Sequence, residues 1–211
     1  MQPAQDGFVH LSGFFSEPEQ ITLLEAVMSV AAEAPFCTPV MKRFGQPFRI
    51  GMTSAGEVGW WSDRCGYRYI ERHPQTDRPW PPIPSTIRLA IDRILAAAGE
   101  RYPLPTLYPD SCLINRYGAE GRLGLHVDED EEDRNAPILS ISLGDDGWFV
   151  IGGHDRKDPV ERIVLGSGDA VVMAGPARQC FHGIERIVPG TSRLIPGGGR
   201  VNLTIRQVWR R

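Results

Sequence analysis

His126 and Asp128 are separated by one residue, and their side chains are of types that bind transition metals. Alternate side chains of an extended chain point to the same face, so this imidazole and this carboxylate would share one side of a strand. Two histidines and one carboxylate hold Fe(II) on one side and leave the other positions open for substrates and O2. The pair therefore predicts two thirds of such a metal site.

His182 is the candidate for the third ligand. It lies 54 residues after Asp128, in the strand-like sequence Cys180-Phe181-His182-Gly183. A histidine in an apolar strand is more often a packed core residue, so the assignment depends on the scaffold around it. The remaining histidines lie in loop-like sequence and are assigned no role: His10, His73 and His154.

The segment Arg200–Arg206 carries a second candidate site. Period-two alternation places its polar side chains on one face and its apolar side chains on the other: Arg200, Asn202, Thr204 and Arg206 against Val201, Leu203 and Ile205. Arginine is suited to bidentate recognition of carboxylates, and Asn115 and Tyr117 share a face of an upstream strand from which they could donate to the same ligand. We interpret the polar face as a dianion site; a solvated strand edge is the alternative.

The elements that must position these residues are two helices followed by strands. Ser16 and Glu19 predict a helix start, with Ile21, Leu24, Val27, Met28 and Ala31 as its apolar face. Ser85 is predicted to cap a second helix, with the stripe Ile87, Ala90, Ile91, Ile94, Leu95 and Ala98. Eight short strands follow: Cys112–Tyr117, Arg122–His126, Ile138–Leu143, Trp148–Ile151, Ile163–Leu165, Ala170–Met173, Gln179–Ile184 and Val201–Trp209. This order predicts an α+β fold with a closed or double-sheet β core, of which the jelly roll is the eight-stranded form.

Length and composition are those of one ordinary globular domain of 211 residues. The net charge of -3 argues against a protein that coats nucleic acid by bulk electrostatics. The charge is unevenly distributed, with ten Lys/Arg and six Asp/Glu in residues 42–101, and an unbroken acidic run from Asp128 to Asp133. Scattered cysteines, no visible secretory signal and no membrane-length apolar run predict a cytoplasmic protein that does not interact with a membrane.

Taken together, these segments resemble the AlkB family of Fe(II)/2-oxoglutarate dioxygenases, and above all its bacterial DNA-repair demethylases. The resemblance covers Pro35–Gln207 and rests on four motifs in order: Asn115-Arg116-Tyr117, His126-Val127-Asp128, His182 and Arg200-Val201-Asn202-Leu203-Thr204-Ile205-Arg206. It implies a double-stranded β-helix, a jelly-roll core, over about residues 105–211. N-terminal helices and a nucleotide-recognition lid would occupy about residues 1–104 of the same single domain.

The resemblance also implies roles for individual residues. His126, Asp128 and His182 would ligate Fe(II), and Arg200, aided by Tyr117 and Asn202, would hold the distal carboxylate of 2-oxoglutarate. Arg206, a further catalytic candidate, and Asn115 would lie nearer the metal-chelating end of this cosubstrate. In the lid Trp60 and Tyr67 would line the base pocket, and in the core Asp130 and Arg156 would contact the substrate. Trp61 receives no role, the loop Thr38–Phe48 differs from the family pattern, and Met173 stands where an aromatic residue is expected near the oxygen path.

The implied activity is oxidative demethylation of 1-methyladenine and 3-methylcytosine in DNA, with O2 consumed and formaldehyde, succinate and CO2 released. A base inside a duplex cannot reach the metal, so the substrate would be single-stranded or have a flipped base. We expect a monomer. A demethylase or hydroxylase acting on RNA or protein, and a non-enzymatic dianion-binding module, are the alternatives. In the acidic run we expect Asp130 to face the substrate and Glu131 to be a solvated residue of little effect.

Overall fold

The computed structural model describes residues 6–42 and 44–211. Residues 1–5, searched for a secretory signal, and Arg43 of the basic segment lie outside the described residues. Within the described residues the elements, in order, are β1 (Phe8–Leu11), α1 (Glu17–Glu33), β2 (Ile50–Gly56), β3 (Gly59–Asp63), β4 (Gly66–Ile70), α2 (Ser85–Gly99), β5 (Ser111–Tyr117), β6 (Leu123–His126), β7 (Ile138–Gly144), β8 (Asp146–Ile151), β9 (Glu161–Leu165), β10 (Ala170–Met173), a 3-10 helix (Gly175–Gln179), β11 (His182–Val188) and β12 (Arg200–Arg206).

Two antiparallel sheets form the core of the molecule. The large sheet has the strand order β1-β10-β7-β12-β5-β2 and the small sheet has the order β6-β11-β8-β9. The eight strands β5 to β12 fill both sheets, which confirms the predicted jelly roll. The N-terminal part adds β1, which the sequence did not predict, and β2 at the two edges of the large sheet. Both halves of the chain therefore build one sheet.

Each face of the large sheet packs against a different layer. One face meets α1 and α2, and the other meets the small sheet. In β12 the alternation predicted from the sequence divides these layers, because Val201, Leu203 and Ile205 pack under the helices. Each such side chain contributes about 1.5–3 kcal/mol when fully buried. The polar residues of β12 consequently face the space between the two sheets.

The two helices begin within a residue of their predicted starts. Glu19 accepts hydrogen bonds from the backbone N–H and the hydroxyl of Ser16, at 2.7 Å and 2.6 Å. Pro84 caps α2, and Ser85 is its first helical residue. The stripe predicted for α2 is confirmed for Ile87, Ala90, Ile91, Ile94 and Ala98, which are buried.

The predicted apolar face of α1 is wrong in part: Val27 is buried and Leu24 is half-buried as predicted, but the buried face is centred elsewhere. Leu23, Val27 and Val30 are buried, whereas Ile21 and Met28 are exposed. Both sets have helical spacing, and the buried set lies about one residue away from the predicted one around the helix. Packing against α2 and the sheet selects one of these faces. No helix among the described residues is long and apolar enough to cross a membrane.

The hairpin β3–β4 forms a separate two-stranded sheet, which is the segment predicted to be the lid and is called the lid below. Its base is fixed by Trp80, whose indole N–H donates to the carbonyl oxygen of Ile70 at 2.7 Å. Gly59 permits this packing, since a Cβ there would lie 2.5 Å from the Trp80 ring. Arg68 and Asp63 form an ion pair of 2.6 Å across the hairpin. The hairpin is thus held at its base by Trp80 and cross-linked near its turn by the Arg68–Asp63 pair.

Candidate active site

Three side chains from two adjacent strands and the loop after one of them meet at a common point. β6 ends at His126, Asp128 lies two residues beyond it, and His182 opens β11. His126 and His182 are direct partners in the antiparallel register. The Nε2 atoms of His126 and His182 lie 3.7 Å and 3.8 Å from the carboxylate oxygens of Asp128, and the three ligand atoms lie within 4.8 Å of one another. This donor set is typical of non-haem Fe(II).

Both imidazole rings are held in the orientation that a metal ligand needs. Nδ1 of His126 lies 2.9 Å from the carbonyl oxygen of Gly124, and Nδ1 of His182 lies 3.0 Å from that of Cys180. A carbonyl only accepts, so each Nδ1 carries the proton and each Nε2 presents its lone pair to the common point. Burial lowers the pKa of His182 to about 4, which keeps this imidazole neutral, as ligation requires.

The third candidate ligand, Asp128, is a buried carboxylate held by a buried arginine. Arg206 donates from Nη2 to Oδ1 of Asp128 at 2.8 Å and from Nε to Oδ2 at 3.3 Å. Burial by itself would raise the pKa of Asp128, but the charge of Arg206 and its hydrogen bonds hold that pKa below its usual range. Asp128 also raises the pKa of Arg206 against the effect of burial. The carboxylate is therefore ionised and oriented by the protein alone.

Arg200 is fully buried in the wall of the same cavity, whose volume is about 1350 Å³. Its guanidinium donates to the carbonyl oxygens of Leu165 at 2.9 Å and Asp145 at 3.2 Å, and to the hydroxyl of Ser142 at 2.6 Å. These bonds use three of its five N–H groups, and Nε has no partner among the described residues. One N–H on Nε and one on Nη2 remain, which is the fork that a carboxylate accepts.

The strand beside Arg200 contributes further polar groups. Tyr117 is the cross-strand partner of Arg200, and Asn115 is that of Asn202. Burial raises the pKa of Tyr117 to about 12, so its phenol is neutral and can donate a hydrogen bond. All four residues line the cavity.

Buried polar atoms without a partner indicate where a ligand fits. Among the described residues these include Nε of Arg200, Nη1 of Arg206 and Oδ1 of Asn115. Leaving a buried donor or acceptor unpaired costs about 1–3 kcal/mol. The two unpaired arginine donors lie at opposite ends of β12, on the face that also approaches Asp128. This arrangement fits a small dianion placed between Arg200 and the metal point.

Two residues that hold Arg200 were not identified from the sequence. Ser142 on β7 accepts a hydrogen bond from it, as described above. Gly147 on β8 lies beneath it, and a Cβ at that position would come within 3.1 Å of Nε and 3.2 Å of Cζ. Only the pairing of β7 with β12 and the approach of β8 reveal these contacts, since neither is close to Arg200 in sequence.

The lid brings an aromatic pair to the mouth of the cavity. Trp60 and Tyr67 stack with their ring centroids 5.5 Å apart and their planes at 25°, and Phe48 packs edge-on against Trp60 at 6.2 Å. The indole N–H of Trp60 donates to Asp130 at 2.7 Å. The lid is thereby tied to the segment that carries Asp128. Trp61, the next residue along β3, points to the opposite face of the strand.

Exposed arginines line the same cavity as this aromatic pair. Arg156 lines the cavity with its guanidinium 5.7 Å from the Phe181 ring. Four further exposed arginines line the same cavity: Arg49, Arg122, Arg134 and Arg162, the last of which pairs with Glu185. The cavity therefore combines flat aromatic surfaces with arginine side chains, and exposed acids line it as well.

The expectation that Glu131 is solvated is wrong. Glu131 is 4% exposed, whereas its neighbours Asp130 and Glu132 are exposed. Two arginines, Arg178 and Arg206, contact its carboxylate at 3.1 Å and 3.3 Å. An acidic run is usually a solvated loop, and only the convergence of two distant arginines makes burial of this carboxylate favourable.

Comparison with known proteins assigns nearly the whole chain to one protein superfamily. The sequence model of the 2OG-Fe(II) oxygenase superfamily matches residues 7–206. An alpha-ketoglutarate-dependent dioxygenase AlkB homolog of Caulobacter vibrioides is 47% identical over 201 residues, which cover 95% of this chain and 87% of that protein. Alpha-ketoglutarate-dependent dioxygenase AlkB of Escherichia coli is 40% identical over 207 residues, covering 98% and 92%.

Comparison with solved structures supports the same assignment. The structure of OsALKBH1 superposes with a TM-score of 0.84 at 30% identity, covering 98% of this chain and 100% of that one.

Two further relatives have names that include a substrate. DNA N(6)-methyladenine demethylase ALKBH1D of Arabidopsis thaliana is 28% identical over 95% of this chain and 49% of its own length. tRNA demethylase abh1 of Schizosaccharomyces pombe is 34% identical over 47% of this chain and 36% of its own length.

Proposed function

Because the chain belongs to the AlkB family of the 2OG-Fe(II) oxygenase superfamily and is an alpha-ketoglutarate-dependent dioxygenase, we propose that it repairs DNA by oxidative demethylation of nucleobases. Its substrates are 1-methyladenine and 3-methylcytosine, and the methyl group leaves as formaldehyde. The observation that carries this proposal is one cavity that joins the three ligand side chains, Arg200 and the aromatic lid.

His126, Asp128 and His182 hold Fe(II) in this proposal. Oxidation of the N-methyl group, coupled to conversion of 2-oxoglutarate and O2 to succinate and CO2, is the chemistry that bound Fe(II) supplies. Arg200 receives the distal carboxylate of 2-oxoglutarate on its free N–H pair, with Tyr117 and Asn202 beside it. Arg206 and Asn115 lie toward the end that reaches the metal, where Arg206 also fixes Asp128.

The lid and the strand beside it position the base. Trp60 and Tyr67 offer aromatic faces, and each base stacked on such a face contributes about 1–3 kcal/mol. The His126 ring, one third exposed, offers a further face next to the ligand atoms. A base reaches this point only from a single strand or after flipping out of a duplex. The protein acts as a monomer in this proposal.

Arginines around the cavity contact the phosphates. Arg49, Arg122, Arg134 and Arg156 are exposed at the mouth, and neutralising phosphates with such residues supplies sequence-independent affinity. The basic segment 42–101 contributes less than its total charge predicts. Its helix α2 packs on the opposite face of the large sheet, where Arg93 pairs with Glu19 at 2.5 Å.

The proposal is tested by direct observation of repair. The protein is loaded with Fe(II) and 2-oxoglutarate without oxygen, then exposed to air together with an oligonucleotide containing 3-methylcytosine. We expect the oligonucleotide to lose the mass of one CH2 group and formaldehyde to appear in equal amount. An oligonucleotide of unchanged mass, despite consumption of 2-oxoglutarate, would contradict the DNA substrate.

RNA is the second candidate substrate. It is favoured by the relative named tRNA demethylase, although that protein aligns with only about half of this chain. Formaldehyde release from matched methylated DNA, RNA and peptide distinguishes the candidates. We expect DNA to give the highest kcat/KM, and a higher value for RNA would reverse the assignment.

Asp130 provides a test of how the lesion is recognised. The methylated bases 1-methyladenine and 3-methylcytosine are cationic near neutral pH, and a carboxylate about 4 Å from a cation contributes up to ~4 kcal/mol at an effective dielectric of 20. Asp130 is exposed, so solvent reduces this to about 1–3 kcal/mol. We expect Asp130→Asn to lower kcat/KM for 3-methylcytosine at least tenfold (about 1.4 kcal/mol), and to affect the neutral adduct ethenoadenine much less.

The substitution is informative because the asparagine oxygen can still accept the Trp60 N–H, so charge changes while the lid contact is retained. The matched control is Glu132→Gln, an exposed acid of the same run, which should change neither substrate. Equal losses on the cationic and the neutral lesion would show that Asp130 does not read charge.

A further inference from the structure

Glu131 is a buried carboxylate that the proposed chemistry does not use. It lies three residues after Asp128, within the acidic run, and it receives hydrogen bonds from the hydroxyl of Tyr69 and from Nη2 of Arg178, the latter at 3.1 Å. Nε of Arg206 lies 3.3 Å from Oε1 of Glu131, the same oxygen that accepts the hydrogen bond from Tyr69. These three contacts to one buried carboxylate fix the positions of the carboxylate and of its three partners.

The two arginines extend this contact to the proposed metal ligand. Arg178 donates from Nη1 to the main-chain oxygen of Asp128 at 2.6 Å, and from Nε to that of Ala136 at 3.0 Å. Arg206 donates to the side chain of Asp128, with 2.8 Å between Nη2 and Oδ1. Glu131 is thus one contact away from both the backbone and the carboxylate of Asp128.

The charges of this group balance. Two buried guanidinium groups face two buried carboxylates, and Tyr69 stays a neutral donor because burial raises its pKa well above the usual value. If Glu131 were neutral, Asp128 would be the remaining carboxylate for both arginines in this group. Removing one member of a buried charge group is strongly destabilising, because it leaves an uncompensated charge.

Tyr69 brings the lid into the same group. It lies on β4, opposite Trp60 in the hairpin register. Its hydroxyl is buried against Glu131, whereas Trp60 contacts Asp130. Both strands of the lid therefore bond to consecutive residues of the segment that follows Asp128.

We propose that Glu131 is a positioning residue. Through Arg178 and Arg206 it fixes the position of the Asp128 carboxylate for the metal, and through Tyr69 it couples the position of the lid to that of Asp128. This inference rests on the proposed function for the identity of metal and base. Without the charge of Glu131, Arg206 draws Asp128 more strongly to itself, and net positive charge increases beside a site for a divalent cation. Metal affinity falls as a result.

The first experiment measures binding of Mn(II), used alone as a stand-in for Fe(II), to the full chain carrying Glu131→Gln. We expect the Kd for Mn(II) to rise about tenfold. The control Glu132→Gln, an exposed acid next in sequence, should stay within about twofold of the unmodified protein. Equal Kd values for the two variants, with a lower Tm for Glu131→Gln alone, would show that Glu131 only stabilises the fold and would overturn the proposal.

The second experiment removes the lid contact made by Tyr69 and keeps every charge. Tyr69→Phe should leave the Kd for Mn(II) within about twofold and raise the KM for a methylated oligonucleotide at least fivefold, with kcat nearly unchanged. Tyr108→Phe, at a half-exposed tyrosine, is the control. An unchanged KM in Tyr69→Phe would overturn the coupling, including in the case that Glu131→Gln does not fold. Mn(II) binding requires no nucleic acid, so its outcome is independent of whether methylated DNA is the substrate.

Discussion

Replacing His126, Asp128 or His182 by alanine is expected to abolish formaldehyde release, because a three-ligand site loses its geometry with any one ligand. His126→Ala is the cleanest of the three variants. Its side chain is one third exposed, and its polar partners among the described residues are Asp128 and a main-chain oxygen, so the fold should be retained. Asp128→Ala should also lower the Tm, since it leaves Arg206 with fewer partners.

The measurement is single-turnover formaldehyde release at saturating Fe(II), with thermal unfolding recorded in parallel. His10→Ala serves as the control. His10 lies on the edge strand β1, where it pairs with Asp169, and it does not line the cavity. Substantial turnover in two of the three ligand variants would rule out the triad as the metal site.

Arg200→Lys is expected to raise the KM for 2-oxoglutarate at least tenfold, equivalent to about 1.4 kcal/mol. The guanidinium holds three protein acceptors and still has an N–H pair to offer, whereas an ammonium has three donors in all. A lysine therefore retains the charge but cannot satisfy the protein and a bidentate carboxylate together.

The KM is measured by succinate formation at saturating oligonucleotide. Arg186→Lys is the control, since Arg186 is exposed and stacks on Trp148 in the small sheet. An unchanged KM for Arg200→Lys would transfer the distal carboxylate to another cation, with Arg206 the first to examine.

Gly147→Ala tests the same assignment without changing any charge. The added methyl group would lie 3.1 Å from Nε of Arg200, and overpacking of this kind costs about 1–3 kcal/mol. We expect the KM for 2-oxoglutarate to rise about fivefold while the KM for the oligonucleotide stays constant. A rise in both constants would indicate a general loss of structure instead of displacement of Arg200.

Much of the site was determined by local sequence pattern. Strand alternation is a property of the backbone itself, so the polar face of β12 and its apolar face could be assigned before any packing was known. The same rule placed Asn115 and Tyr117 on one face of β5. The stripe of α2 was also clear, because its apolar residues have a single helical face.

Other features depended on which elements meet in three dimensions. Apolar residues cover more than one face of α1, so its buried side was selected only by contact with α2 and the sheet. The two short stretches that form β1 and β10 are far apart in sequence, and β1 is defined by pairing with that strand.

The acidic run that begins at Asp128 shows most directly which features local sequence predicts and which features depend on tertiary contacts. The sequence established six consecutive acids beginning at a candidate ligand, and nothing local separates Asp130 from Glu131. In the structure Asp130 meets Trp60 at the surface, whereas Glu131 is buried between Arg178 and Arg206. The sequence by itself predicted the candidate metal ligands, the polar face of β12 and the jelly roll, because these follow from strand alternation and from the order of the motifs along the chain. Only the tertiary structure assigned partners to the acids, because the arginines that make burial of a charge favourable come from strands and turns about 50 to 80 residues away.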